Sequence, residues 1–445
     1  MRPIRFIDLF AGIGGLRLGF EQGLEAQGLT AQCVMTSEIK PHALKVLRHN
    51  FGHDHFVGDI TKVPNSQIPD FDFLLGGFPC QPFSAGGKRL GFVDTRGTLF
   101  FEIERIIAEK RPYGFILENV EGLVRHDLGN PKDRVGRTLR TILERLTDMG
   151  YAVSWNVLNA EDFDLPQTRK RVFIVGTLEE KISLRGFEVS RSKIKNILEY
   201  GLPVMRSRFT DRLLEIFPME ELWGKSIKDK RGGGNNVHSW DLELKGPVSD
   251  EQKVLLNKLF KERRKKKWAA EHGIAWMDGM TLTLEQISTF HHSPRLRELL
   301  DDLVRKGYLR HESPKSLVRE QTLLGERTYR IEDKSKPKGY NIVSGKLSFE
   351  INKVLSPNDV APTLVATDME RLAVPDGQGL RRMTLREGLR LFGFPEWFEM
   401  PVSAKEGFDL LGNTVAVSVV RAIAERVGAA CHQEFTVSEM PVCAA

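Results

Sequence analysis

The sequence predicts an α/β protein: a doubly wound sheet domain with a second, smaller domain inserted into it. Three observations predict this. A short apolar run, Phe6-Ile7-Asp8-Leu9-Phe10, passes through the glycine turn Ala11-Gly12-Ile13-Gly14-Gly15 into a helix opening at Leu16. Further strand-like runs end in the polar residues Glu38, Asp59 and Cys80, about 20 residues apart, as successive βα units of one sheet would place them. From about residue 178 that rhythm is lost and the glycine turns become irregular. The chain has 445 residues, long for one core and reasonable for two domains.

Composition sets wide bounds. Hydrophobic residues make up 41% and charged residues 28%, ordinary values for a globular chain. The net charge of +6 permits a polyanionic partner, but an ordinary basic enzyme has the same balance. The four cysteines, Cys33, Cys80, Cys431 and Cys443, form no Cys-x-x-Cys pair, which argues against structural zinc. Their low number, without a signal peptide, fits a reducing cytoplasm. No apolar run approaches the roughly 18–20 residues that a membrane span needs.

In the opening unit, glycines let a ligand approach the backbone, and the helix N-terminus offers free N–H groups. The dinucleotide fingerprint Gly-x-Gly-x-x-Gly fits Gly12 and Gly14 but meets Arg17 at its third glycine, which lowers the dehydrogenase reading. Val34-Met35-Thr36-Ser37-Glu38 and Phe56-Val57-Gly58-Asp59-Ile60 then read as strands ending in acids. An acid at the end of a second strand can bind ribose hydroxyls, although most isolated acids of this kind are simply solvated.

Phe71 to Leu75 is a buried-strand run, followed by Gly76-Gly77-Phe78-Pro79-Cys80-Gln81-Pro82-Phe83-Ser84. Prolines on both sides of Cys80 fix φ and stiffen the loop. A stiff loop holding a thiol at the carboxyl end of a strand suits a nucleophile. Pro-Cys-Gln-Pro-Phe-Ser resembles the catalytic loop of the cytosine-C5 DNA methyltransferases. Phe10-Ala11-Gly12-Ile13-Gly14-Gly15 resembles the same family's S-adenosylmethionine loop.

The resemblance assigns roles along the chain. It implies cofactor contacts from Phe10, Gly12, Ile13, Gly14 and Gly15, with Glu38 on the ribose, Asp59 on the adenine amino group and Ile39 and Ile60 flanking the adenine. Leu99, in an apolar helix of otherwise core-type spacing, is implied as a further contact. Glu118 ends the strand Phe115-Ile116-Leu117. Alone it reads as a loop acid; the resemblance makes it the acid at the cytosine ring. Gln167-Thr168-Arg169-Lys170-Arg171 precedes the strand Val172–Gly176 and matches the family's Gln-x-Arg-x-Arg motif. The resemblance sets Arg169 and Arg171 against the target base's O2 and a nearby phosphate, with Arg169 assigned to O2. It implies further DNA contacts from Gln81, Ser84 and Gln167.

The middle of the chain matches the family only by position, as its variable target-recognition region. Lys228 to Asn236 is a polar, glycine-rich loop that could meet phosphates, with Lys230 and Arg231 in it; a mobile surface loop reads the same way. Lys253 to Ala270 reads as one helix carrying the densest basic run, including Arg263, Arg264 and Lys265, which suits sequence-independent phosphate contact or a solvated face. Residues 284–309 suggest two short helices and a return strand, faintly like a winged helix.

Towards the carboxyl end, Ala361-Pro362-Thr363-Leu364 resembles the family's segment after target recognition, and Arg386-Glu387 its Arg-Glu pair. Thr384 and Glu387 also suit a capped helix start. Gly412-Asn413-Thr414-Val415 stands where the family usually has Gly-Asn-Ser-Val, and the resemblance returns the last helix to the first domain with Asn413 at the cofactor. The tail after Gly428 is expected to be poorly ordered and without a role.

Together these readings imply a doubly wound, Rossmann-like S-adenosylmethionine-dependent methyltransferase domain over residues 1–178 and 405–445. A target-recognition domain would span 179–404, with double-stranded DNA in the cleft between them. The enzyme would methylate C5 of a flipped-out cytosine through a Cys80–C6 adduct. It is expected to be a cytoplasmic, nucleoid-associated monomer; the resemblance implies a restriction endonuclease or other defence-system proteins as partners, and an orphan role is equally compatible with these residues. Two competitors are a tRNA-methylating branch with a similar core and a non-catalytic DNA-binding module. The length of the recognition segment favours duplex DNA over the first. Intact Cys80, Glu118 and Arg169 argue against the second.

Overall fold

In a computed structural model, residues 2–52, 55–78, 98–130, 133–229, 236–275, 279–322, 325–343, 349–364 and 369–436 are described. The chain folds into two compact units, residues 1–200, 356–370 and 383–445 in one, and 201–355 and 371–382 in the other. Among the described residues, no single helix is long and apolar enough to cross a membrane.

The first unit is built on a sheet of strands β1 (Ile4–Leu9), β2 (Ala31–Ser37), β3 (Phe56–Val57), β4 (Phe73–Gly76), β5 (Gly114–Val120), β6 (Ala152–Asn159) and β7 (Lys170–Thr177). Their spatial order is β3-β2-β1-β4-β5-β7-β6. The first five are parallel, and β7 runs antiparallel to both β5 and β6. Buried parallel strands need apolar side chains on both faces, and the alternation is clean. Ile4, Phe6, Phe73, Leu75, Ile116, Phe173 and Val175 enter one core; Ile7, Leu9, Leu74, Phe115, Leu117, Val172 and Ile174 enter the other. Helix α1 (Gly15–Glu25) covers the first face, α3 (Thr98–Lys110) and α4 (Arg137–Asp148) the second, and α2 (Pro41–Asn50) connects β2 to β3.

The closing helix Val417–Thr436 lies along α1. Its approach depends on glycines one helical turn apart. A Cβ on Gly19 would stand 2.7 Å from the Val417 carbonyl oxygen, and one on Gly23 would stand 2.4 Å from the Ala424 Cβ. The expectation that the chain loses order after Gly428 is corrected here. Cys431 and Phe435 are buried in the first core, and Phe435 meets Tyr113 edge-on at 5.4 Å, so the core itself holds this end of the helix.

The second unit contains a small mixed sheet and a helical module. After α5 (Arg208–Ile216) and α6 (Met219–Leu222), strands β8 (Ser226–Ile227) and β9 (Asn236–Val237) join the sheet. The module then runs α7 (Asp250–Glu262), α8 (Lys266–Glu271), α9 (Leu284–Ser288), α10 (Leu296–Arg305), β10 (Leu309–Glu312), β11 (Lys315–Thr322), β12 (Gly325–Glu332) and β13 (Gly339–Ile342). Strands β10 and β13 pair antiparallel, and Leu282 bridges to Tyr340 beside them. Four helices, the β10–β13 pair with its Leu282 bridge and the protruding β11–β12 hairpin make up this module. Strands β14 (Lys353–Val354), β15 (Leu372–Asp376) and β16 (Gly379–Arg382) complete the mixed sheet in the order β16-β15-β14-β8-β9.

The single basic helix expected over 253–270 is two helices. Arg263 is buried, and its guanidinium donates to the Asn341 side chain at 2.6 Å and to the Ile342 carbonyl at 3.2 Å. That pull ends α7 at Glu262. Arg263 is thereby removed from the expected phosphate contacts. Arg264 lies over the Phe260 ring, while Lys265 is exposed and pairs with Glu262 at 2.6 Å. Lys230 and Arg231 lie outside the described residues.

Candidate active site

The strand order reverses between β1 and β4, which opens a crevice at their carboxyl ends, the place where open α/β sheets bind ligands. The glycine loop leaves β1 there. Phe10, Gly12 and Gly14 have positive φ values of 57°, 56° and 84°. A Cβ on Gly12 would meet nothing within 4 Å, so the loop's outer side is open. Gly14 is closed in: a Cβ would stand 2.5 Å from the Phe51 ring. Ile13 is fully buried, and Gly15 backs onto the Thr414 hydroxyl, 2.9 Å from where its Cβ would be.

Glu38 fixes this loop. Its Oε2 accepts the Gly12 N–H at 2.7 Å, and its Oε1 accepts the N–H groups of Ile39 and Lys40, each at 2.8 Å. One acceptor site on Oε2 is left for a ribose hydroxyl. Ile39 is 70% exposed beside it, an unusual position for a large apolar side chain. Asp59 caps the short turn Ile60–Lys62 and accepts the Thr61 hydroxyl at 2.7 Å; that bond holds its carboxyl below the usual range. Ile60, expected to flank an adenine, is buried in the second core with Ile7 and Met35 and supports the site from beneath. Leu99 is half-buried in the first turn of α3. Asn413 is exposed at the end of the helix Ala404–Asn413, its side chain donating to the Asp409 carbonyl at 2.7 Å.

Next to the loop, the ends of β4, β5 and β7 converge. A Cβ on Gly77 would lie 3.8 Å from Glu118 Oε2 and 3.9 Å from the Phe10 carbonyl oxygen, so that carboxylate and the glycine loop share one small space. Arg171 donates from Nε to Glu118 Oε1 at 3.1 Å, and both side chains are only 15% exposed. Burial raises the Glu118 carboxyl above its ordinary value, although the charges of Arg171 and Arg169 oppose the shift. Asn119, which sequence reading passed over, is buried and donates to the Phe78 carbonyl at 3.0 Å. It pins the backbone immediately before the loop that carries Cys80. Cys80, Gln81 and Ser84 themselves lie outside the described residues.

Two expected contacts are corrected. Arg169 is 3% exposed and its guanidinium is committed to the protein's own backbone: it donates to the carbonyls of Leu364, Gly412 and Thr414 at 3.3, 3.1 and 2.7 Å. Burial, with the neighbouring Arg171 charge, pulls it down to about 9. Arg171 is the guanidinium that pairs with Glu118. Gln167 was expected to touch DNA; it is fully buried, and its amide donates to the Leu391 carbonyl at 3.5 Å. Both residues stitch the β6–β7 connection to the returning segment, which Thr168 also meets through the Ala361 carbonyl at 2.8 Å.

What the arrangement offers is an open glycine loop, a buried acid with a raised pKa and a paired guanidinium, all at one sheet edge. Comparison with known proteins agrees with that chemistry. The family model for C-5 cytosine-specific DNA methylase matches residues 4–429. Type II methyltransferase M.NlaIV of Neisseria lactamica is 59% identical, over 96% of this chain and 99% of its own. M.BanI of Aneurinibacillus aneurinilyticus is 39% identical over 95% of each. Among solved structures, a prophage-encoded DNA modification methyltransferase of E. coli superposes with a TM-score of 0.51 at 23% identity, covering 95% of this chain and 98% of its own, which supports the fold. The chain belongs to the C-5 cytosine-specific DNA methylase family.

Proposed function

We propose that the chain methylates C5 of a cytosine within one short sequence of duplex DNA, as the modification half of a Type II restriction–modification or related defence system. The names of its relatives support that setting. The observation that carries the reaction is the Glu118–Arg171 pair beside Gly77, at the switch between β1 and β4.

The glycine loop, Glu38 and exposed Ile39 fit a cofactor with ribose and an adenine face. When bound there, S-adenosylmethionine would supply a methyl group as an electrophilic sulfonium substituent. The chain's residues prepare the acceptor. Cytosine C5 is a poor nucleophile, and the Cys80 thiolate adding to C6 makes it enamine-like. A protonated Glu118 donates to N3 and holds the charge that develops in the ring, which its raised pKa favours. Arg171 donates to O2. Once C5 carries the methyl group, it loses its proton, the electron pair reforms the C5–C6 double bond and the Cys80 thiolate leaves. Stacked bases are out of reach, so the target is flipped out at a cost of a few kcal/mol.

We assign catalysis to the unit of residues 1–200, 356–370 and 383–445, and target recognition to the other unit. Bisulfite sequencing of plasmid DNA from cells expressing the protein, beside a Cys80→Ala control, tests this. Methylcytosine in one motif, lost in the control, is expected. Unmodified DNA with methylated tRNA would move the substrate to RNA. Methylation that persists in the control would overturn the Cys80 assignment.

A further inference from the structure

The helical module of the second unit presents two elements that could read a duplex, the exposed face of α10 and the β11–β12 ribbon. We propose that the ribbon is the reading element, entering a groove with the face that carries Arg319 and Gln321. This rests on duplex DNA being the substrate.

Geometry comes first. Strands β11 and β12 pair in unbroken register from Lys315↔Glu332 to Thr322↔Gly325, and neither pairs with a third strand among the described residues. Eight residues of antiparallel strand reach about 27 Å. The major groove, about 12 Å wide, admits a two-stranded ribbon as readily as a helix. The ribbon is anchored at its root. Glu332 accepts the Ser313 N–H at 2.9 Å, Asp333 accepts the Ser316 hydroxyl at 2.8 Å, and Arg330 donates to the Ala275 carbonyl at 3.3 Å. Those two acids are thus occupied near the root, while Arg319, Gln321 and Arg327 stand exposed towards the tip.

Charge separates the two elements. Strands β11 and β12 together carry four Lys and Arg against three Asp and Glu, and α10 carries two against three. The exposed face of α10 sets Glu298 and Asp301 among its arginines, which would face phosphates of like charge. The side-chain types agree as well. Arginine matches guanine O6 and N7, and glutamine matches adenine N6 and N7. The register sets Arg319 and Gln321 on one face of the ribbon and Arg327 on the other with Tyr329 and Ile331, which are 37% and 50% exposed.

The test uses full-length protein and the Arg319→Ala and Gln321→Ala variants, with Arg297→Ala on α10 for comparison. Bisulfite sequencing reads each variant's motif in cells, and fluorescence anisotropy reads its affinity for a duplex carrying the wild-type motif. An arginine lost from the ribbon should weaken binding by about tenfold to a hundredfold or relax one motif position. S-adenosylmethionine affinity and melting temperature should stay unchanged, and Arg297→Ala should bind as wild type does. Ribbon variants with wild-type affinity and motif would overturn the inference, as would a loss confined to Arg297→Ala. If the wild type neither methylates nor binds duplex DNA, the substrate assignment falls and this inference with it. A methylating wild type with an indifferent ribbon overturns the inference alone.

Discussion

Arg169 donates to the Thr414 carbonyl at 2.7 Å, across 245 residues of chain. The bond joins the β6–β7 connection to the turn that backs the glycine loop at Gly15. The alternating arginines of one motif therefore have different partners: Arg169 binds backbone carbonyls, and Arg171 pairs with the Glu118 carboxylate.

Substitution separates them. Arg169→Ala leaves three carbonyls without their donor and should cost about 3 kcal/mol of stability or more. Arg171→Ala should cost about 1 kcal/mol yet lose methyl transfer by about a hundredfold or more. Urea midpoints and single-turnover rates on the two variants check this, and a stable, inactive Arg169→Ala would contradict it.

Asn119→Ala removes the donor to the Phe78 carbonyl, 3.0 Å away. The turnover number should fall while S-adenosylmethionine affinity, measured by calorimetry, stays within about twofold, because a buried carbonyl without its donor costs about 1–3 kcal/mol at that spot alone.

Gly23→Ala improves helix propensity by about 1 kcal/mol but drives a methyl into Ala424, 2.4 Å away. Overpacking costs about 1–3 kcal/mol, so a net loss is expected. Adding Ala424→Gly opens room, and thermal unfolding should show the double variant recovering part of the loss.

Asp8 gives a pH dependence of stability. It is fully buried beneath α1, with Arg17 and Glu21 near it, and burial raises its carboxyl from 3.8 to about 8. The folded state thus binds this proton more tightly than the unfolded chain does, so the Asp8 contribution to stability falls as pH rises from about 4 to about 8. Asp8→Asn removes that slope. Relative to wild type, its urea midpoint should improve between pH 5 and pH 8, and a parallel pair of curves would refute the burial argument.

The sheet was largely legible because its strands are apolar on both faces and end in glycines or acids, as at Gly12, Glu38 and Glu118. β6 escaped notice because Ala152–Asn159 is mostly half-buried and has no such punctuation. Glu118 is singled out by the family resemblance, because alone it reads as an ordinary loop acid. The division of labour between Arg169 and Arg171 could not be read, because it is decided by carbonyls at 364, 412 and 414. In the same way nothing local to Lys253–Ala270 marks a break. All its residues tolerate a helix, and only the reach of Arg263 to Asn341 ends α7. The Gly19 and Gly23 contacts belong to a partner helix far along the chain and left no local trace.

The partnership of α1 with Val417–Thr436 has a consequence for synthesis. A ribosome delivers the glycine loop first and the helix that braces it only after the whole second unit has emerged. Until then the glycine face of α1 lies uncovered and Gly15 lacks its backing at Thr414. A nascent chain is therefore a methyltransferase in waiting. The glycine loop gains its brace only in completed molecules, once the last helix has been made.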